Sequence, residues 1–312
     1  MRILITGGCG YIGSVLTNKL LNHGYDVVVY DTQWFGNYLK KNNKLKIIKD
    51  DIRNIRKYNL KNIETIIHLA NIANDPGVQL NQTLSWEVNV LATQILIEKA
   101  IKDKVNHFIF ASSGSVYGIK KEKNVTEDLS LVPISTYNKT KMVAERVLKS
   151  YDKQIKIHSI RPATVCGYSP RMRLDVSVNM LTFQALKKKM ITVFGGRQIR
   201  PNIHIKDLIN VYKHFIFNKN IPSGFYNAGF ENLRIIDIAR KISKIIPSKI
   251  IIKKNNDPRS YRQNSNKLLA TGFKQKYSVL HAIEEIKEKY EKRKLKESLK
   301  CYTVKWMKKI KL

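Results

Sequence analysis

Tyr137 and Lys141 stand four residues apart in the string Tyr137-Asn138-Lys139-Thr140-Lys141. On a helix that spacing places both side chains on one face, so an ammonium lies beside a phenol. A nearby positive charge favours phenolate and lowers a tyrosine pKa from its free value of about 10. A phenol tuned in this way exchanges a proton with a substrate hydroxyl near neutral pH. Far upstream, Thr6-Gly7-Gly8-Cys9-Gly10-Tyr11-Ile12-Gly13 supplies a glycine-rich segment. It suggests a dinucleotide opposite the phenol, able to take a hydride. Together the two segments predict reversible alcohol–ketone chemistry.

These groups need a scaffold, and the first two-thirds of the chain describes one. Short β-branched runs alternate with helical stretches, the pattern of a parallel sheet covered on both faces. Strands are predicted at Arg2–Thr6, Asp26–Tyr30, Leu45–Lys49, Thr65–Leu69, His107–Ala111 and Lys156–Arg161, with helices near Ile12–His23, Leu84–Lys102 and Thr136–Tyr151. Each connection is long enough for a right-handed crossover. Gly7, Gly10 and Gly13 then fall between the first strand and the first helix. There, glycine permits a tight turn and close approach of a pyrophosphate, whose charge meets the helix N-terminus. The second strand ends at Asp31, eighteen residues after Gly13. A carboxylate there accepts hydrogen bonds from an adenosine ribose and repels a 2′-phosphate, so NAD is expected rather than NADP. Asp51 follows the third strand, where a loop can reach an adenine; taken alone, such a residue is more often a surface carboxylate or a helix cap.

Composition bounds the remaining possibilities. At 312 residues, with 43% apolar and 26% charged side chains, the chain suits a soluble α/β protein of one large domain or two unequal ones. No apolar run approaches the ~20 residues of a membrane span. The first residues run straight into a strand, so no secretory signal is expected. Cys9, Cys166 and Cys301 are far apart, and no Cys or His spacing suits a metal; a reducing cytoplasm and no metal are expected. Lys and Arg number 57 against 24 Asp and Glu, a net charge of +33. A nucleic-acid or anionic-membrane partner is one reading of that charge. An AT-rich genome is the other, because the surplus is mostly Lys and accompanies abundant Ile and Asn; no nucleic-acid-binding signature surrounds it. The basic, apolar-interleaved terminus Lys305–Leu312 reads as a solvated helix end or frayed tail, with contact to an anionic membrane as the alternative.

In order and spacing, the motifs resemble the extended short-chain dehydrogenase/reductase family, in its sugar-nucleotide epimerase/dehydratase branch. Those motifs are the glycine loop, Asp31, Asp51-Ile52, His68-Leu69-Ala70, Asn89, Ser112-Ser113-Gly114-Ser115-Val116-Tyr117-Gly118, Tyr137-x-x-x-Lys141 and Arg161-Pro162. The resemblance covers nearly the whole chain. It implies a Rossmann doubly wound parallel sheet with a smaller, discontinuous C-terminal substrate lobe. Residues 1–167 plus about 203–230 would form the NAD-binding domain, and about 168–202 plus 231–312 the substrate lobe. Cofactor contacts are implied for Gly7, Gly10, Tyr11, Ile12, Gly13, Asp31, Asp51, Ile52, Leu69, Ala70, Asn89, Tyr137 and Lys141. Ser113, Tyr137 and Lys141 would be the catalytic triad, with Ser113 also touching substrate. By motif position Asn179, Arg200 and Arg259 would hold the diphosphate of a nucleotide sugar. Arg171 and Arg173 would line the sugar pocket or pair with Asp175, and His204 reads as structural. A homodimer is implied, through helices near 84–102 and 134–151.

One departure separates branches of the family. Its 4,6-dehydratases carry an Asp-Glu pair directly after the catalytic Ser or Thr, where this chain has Gly114-Ser115. Dehydration is therefore not expected. A nucleotide-sugar 4-epimerase leads, and a C4 dehydrogenase or 4-ketoreductase on the same residues remains open. A catalytically silent NAD-binding protein that associates with RNA or membrane is the reading from another class.

Overall fold

The computed structural model describes residues 1–255 and 260–312. Its first half runs β1 (Arg2–Thr6), α1 (Tyr11–Leu21), β2 (Asp26–Asp31), β3 (Leu45–Lys49), β4 (Thr65–His68), α2 (Asp75–Val78) and α3 (Gln82–Trp86). A π-helical turn at Glu87–Leu91 leads into α4 (Ala92–Lys102), β5 (His107–Ala111), α5 (Thr136–Lys149) and β6 (Lys156–Pro162). The second half runs β7 (Thr164–Cys166), α6 (Ser177–Lys188), β8 (Met190–Phe194), β9 (Ile199–His204), α7 (Ile205–Phe217) and β10 (Gly224–Ala228). It closes with β11 (Glu231–Arg234), α8 (Ile235–Ile245), β12 (Lys249–Lys253), α9 (Asn266–Ala270), α10 (Val279–Glu291) and α11 (Thr303–Lys309).

Seven strands pair in parallel in the order β10-β6-β5-β4-β1-β2-β3. The six strands expected from β-branched runs are all present, with ends within one residue of the expected ones. Every residue of β4 and β5 is buried, as a parallel sheet covered on both faces requires. The α1 and α7 side chains Leu16, Leu20, Leu208 and Phe215 cover one face. Leu96, Ile97, Ala144 and Leu148, from α4 and α5, cover the other. The order reverses between β1 and β4, and in such sheets ligands settle beyond the strand C-termini at that point. A second core joins α6, α8 and α10 beside a three-stranded sheet β11-β9-β7 and the pair β12-β8. His204 is structural, as expected: it caps α7 by accepting from the Lys206 N–H at 3.1 Å.

Two expectations need correction. The long helix near 84–102 is interrupted by the π turn that contains Asn89. The C-terminus is neither frayed nor simply solvated. Residues Thr303–Lys309 form α11, and Met307, only 3% exposed, joins the core under α4 and α5. Among the described residues no helix is long and apolar enough to cross a membrane, and no cluster of His, Cys, Asp and Glu could hold a metal ion.

Candidate active site

Two cavities meet above the strand C-termini and share the wall formed by Tyr11, Ile12, Leu69, Asn71, Ala111 and Arg173. The first lies over the glycine loop. Gly7 has φ +73°, and a Cβ there would sit 2.6 Å from Ala70 N; a Cβ on Gly13 would sit 2.2 Å from Gly7 O. Only glycine lets strand, turn and helix close this tightly. Gly10 caps α1 with no side-chain hydrogen bond, which leaves the first-turn N–H groups open to an anion. Asp31 lines the same cavity, accepting from the Cys9 N–H at 2.9 Å and the Gln33 N–H at 2.6 Å. Burial raises its pKa, opposed by those N–H groups and the charge of Arg171.

Of the expected cofactor residues, Gly7, Gly10, Tyr11, Ile12, Gly13, Asp31, Asp51, Ile52, Leu69 and Ala70 all line this cavity. Asn89 does not. It lies beneath, 2% exposed, accepting from the Ile72 N–H at 2.9 Å and donating to Ile72 O and Thr140 Oγ1, both at 3.2 Å. Its role is to tie the loop after β4 to α5. Arg171 was not among the expected contacts, yet it lines the cavity with its guanidinium 4.0 Å from the Phe35 ring centroid. Its Nε and Nη1 are buried without a hydrogen-bond partner. Burial, with the charge of Arg173, pulls its pKa down to about 10. A buried guanidinium with two unpartnered donors is matched by an anionic ligand. These open helix N–H groups, the carboxylate of Asp31 and the orphaned Arg171 donors fit a dinucleotide.

The second cavity encloses about 850 Å³, and Ser113, Tyr137 and Lys141 all line it. Ser113 caps a short 3₁₀ turn, Gly114–Tyr117, with its Oγ 2.8 Å from Ser115 Oγ. Tyr137 and Lys141 lie on the first two turns of α5, which Ser135 caps. Beneath them Arg161 clamps the site. Its Nε and Nη2 donate to Glu145 of α5 at 2.9 and 2.8 Å, and its Nη1 donates to Tyr117 OH at 2.7 Å. The Arg161-Pro162 motif thus fixes α5 against the turn that carries Ser113.

Electrostatics here differ from expectation. Burial pushes the Tyr137 phenol up to about 12, against a downward pull from its hydrogen bond with Ser113. Burial pulls Lys141 down to about 7, opposed by Glu145. The Lys141 ammonium donates to Ala111 O at 2.6 Å and lies 4.7 Å from the Phe110 ring centroid. Desolvation outweighs the attraction expected between Lys141 and Tyr137, and each pKa moves in the direction of the neutral form.

The substrate expectations divide. Arg200 lines the second cavity beside Tyr261, 5.8 Å from its ring centroid. Asn179 is fully buried and does not line it. Its amide accepts from the Gly167 N–H at 2.9 Å and donates to Arg173 O at 2.9 Å and Tyr11 OH at 3.1 Å, which satisfies it as a structural group. Arg259 lies outside the described residues. Arg173, at the junction of the cavities, pairs with Asp175 at 2.9 Å.

Residues 3–229 match the model of the NAD dependent epimerase/dehydratase family. The chain is 29% identical over 311 residues to a UDP-glucose 4-epimerase of Lactobacillus helveticus, across 89% of this chain and 93% of that one. Its fold is similar to that of UDP-glucuronic acid 4-epimerase from Bacillus cereus in complex with UDP-glucuronic acid and NAD, with TM-score 0.82, 29% identity, and 94% and 100% of the two chains covered. A similar likeness holds to MoeE5 in complex with UDP-glucuronic acid and NAD, with TM-score 0.83, 25% identity, and 95% and 100% covered.

Proposed function

Because this chain belongs to the NAD-dependent epimerase/dehydratase family, we propose that it is a nucleotide-sugar 4-epimerase with NAD as its cofactor. The observation that carries the reading is the meeting of Ser113, Tyr137 and Lys141 in one cavity that adjoins the glycine-loop cavity. Arg171, the α1 N-terminus and Asp31 would hold the pyrophosphate and adenosine ribose. Bound NAD⁺ would supply the hydride acceptor for sugar C4 and the source of the hydride for its return. Tyr137, in its phenolate form, would take the C4 hydroxyl proton while Ser113 holds the same oxygen by a hydrogen bond. Lys141, one helical turn on, would hold the nicotinamide ribose. After the 4-keto sugar turns over in the roomy second cavity, Tyr137 gives the proton back to the C4 oxygen. Arg200 and Arg259 are proposed diphosphate contacts, since a guanidinium fork suits phosphate.

The same proposal divides the chain into an NAD-binding domain, 1–167 with about 203–230, and a substrate lobe, about 168–202 with 231–312. It includes a homodimer. It also includes a cytoplasmic location, which three buried free cysteines support. The test is incubation with NAD⁺ and a panel of UDP-, GDP-, CDP- and dTDP-sugars, following absorbance at about 340 nm and product NMR. Inversion at C4 without accumulated NADH is expected; stoichiometric NADH with a keto product would make the protein a dehydrogenase. Tyr137→Phe abolishes turnover with little change in melting temperature, and an unaffected rate would remove Tyr137 from the mechanism.

A further inference from the structure

α11 is the last helix of the chain, and the family match at 3–229 leaves it without a role. It lies where the two cavities join. Thr303 and Met307, one turn apart, line the glycine-loop cavity, while Tyr302, Val304 and Lys305 line the sugar cavity. The helix is held by specific contacts. The Leu174 N–H donates to Cys301 O at 2.9 Å, and the Thr303 N–H donates to Asp175 Oδ2 at 2.9 Å. The Thr303 hydroxyl lies 3.5 Å from Arg171 Nη2. Trp306 donates its indole N–H to Trp34 O at 2.6 Å. Trp34 and Phe35, in the segment after β2, line the glycine-loop cavity too. Met307 belongs to the same buried cluster as Ile52, Ile72, Val78 and Val88, and Ile52, Ile72 and Val88 line that cavity with it.

We propose that α11 is a clasp over the cofactor: Thr303 and Met307 form part of its binding wall, and Trp306 is a positioning residue that fastens the clasp to the segment after β2. This rests on the reading that NAD occupies the glycine-loop cavity, and it deepens that reading. A 4-epimerase must keep its reduced cofactor until the keto sugar turns, whereas a dehydrogenase must exchange it every cycle. A clasp built from the end of the chain slows escape and serves the first kind of cycle.

The test reads cofactor exchange directly. Full-length protein is loaded with isotope-labelled NAD⁺, freed of excess ligand, then chased with unlabelled NAD⁺ and filtered at intervals. Met307→Ala and Trp306→Phe should each release label at least fivefold faster than the unsubstituted protein. Phe215→Leu, a core change in α7 that lines neither cavity, should lower the melting temperature without speeding release. Trp306→Phe keeps an aromatic ring and removes the N–H donor with the smaller ring of the indole, so it decides the matter even if Met307→Ala fails to fold. Unchanged release from a folded Trp306→Phe overturns the clasp while leaving the cofactor reading intact. An unsubstituted protein that retains no label overturns the cofactor reading, and the clasp with it.

Discussion

Lys141 is a buried amine whose charge opposes folding. Its ammonium is 3% exposed and faces one carbonyl and one ring, with a pKa near 7 in the folded chain. Below pH 7 it is charged in both folded and unfolded states, and its burial opposes folding in full. As pH rises from 7 towards the ordinary lysine value, the unfolded chain binds the extra proton and stability increases. Replacing Lys141 with Met removes that slope. The stability difference between Lys141→Met and the unsubstituted protein should therefore shrink by roughly 1–2 kcal/mol from pH 7 to 8.5, read by denaturant titration at each pH. The same substitution should lower turnover at least about 100-fold, in the range of a lost acid–base group. Residues of this kind were legible as letters: Ser113, Tyr137 and Lys141 announce themselves by type and spacing. Their pKa shifts were not legible, because spacing on a helix says nothing of how dry the helix face will be. Asn89 and Asn179 matched motif positions, yet both spend their amides on backbone and neighbouring side chains, which only the fold reveals.

Among the elements, α5 depends most on a partner far away in sequence. The bidentate Arg161–Glu145 pair is buried on both sides, at 2% and 0% side-chain exposure. Removing one member strands a buried charge, so Glu145→Ala should cost about 3–5 kcal/mol in denaturant unfolding; replacing both members by apolar groups should cost less. β5 and β6 carry a second buried link. His107 Nε2 meets His158 Nδ1 at 2.7 Å, and His158 also contacts Ile221 O and Pro222 O. Burial holds His107 down to about 3 and His158 to about 4, so both are neutral when folded. Between pH 6.5 and 4 the unfolded chain binds more protons, and stability falls as pH falls. Thermal midpoints should drop steadily through that window, and less steeply in His158→Gln. The strands were legible because a parallel sheet buried on both faces demands unbroken β-branched runs, such as Thr65-Ile66-Ile67-His68. The π turn and α11 were not. Asn89 fits an unbroken helix by sequence, and Trp306-Met307 sits among lysines whose partners, Trp34 and Ile72, are more than two hundred residues away.

At the scale of the whole molecule, the charge of +33 creates a positive field that attracts anionic ligands. A nucleotide diphosphate sugar gains from that field whether or not the charge was selected for it. The helices implied as a dimer face do carry exposed apolar side chains: Trp86 at 37% and Leu91 at 51%, with Val132 and Ile134 at 53% and 47% just before α5. Light scattering at micromolar concentration should give a dimer, and Leu91→Glu should shift it towards monomer; a monomeric unsubstituted protein would discard the proposed interface. The placement of α11 also has a consequence in time. Thr303 lies 75 residues beyond Ala228, where the seventh strand of the large sheet ends. At a synthesis rate of about 5–20 residues per second, every strand around the cofactor cavity exists roughly 4–15 s before the clasp is translated. A cofactor that arrives during synthesis enters a site without that wall; one that arrives later meets Thr303 and Met307 already in place.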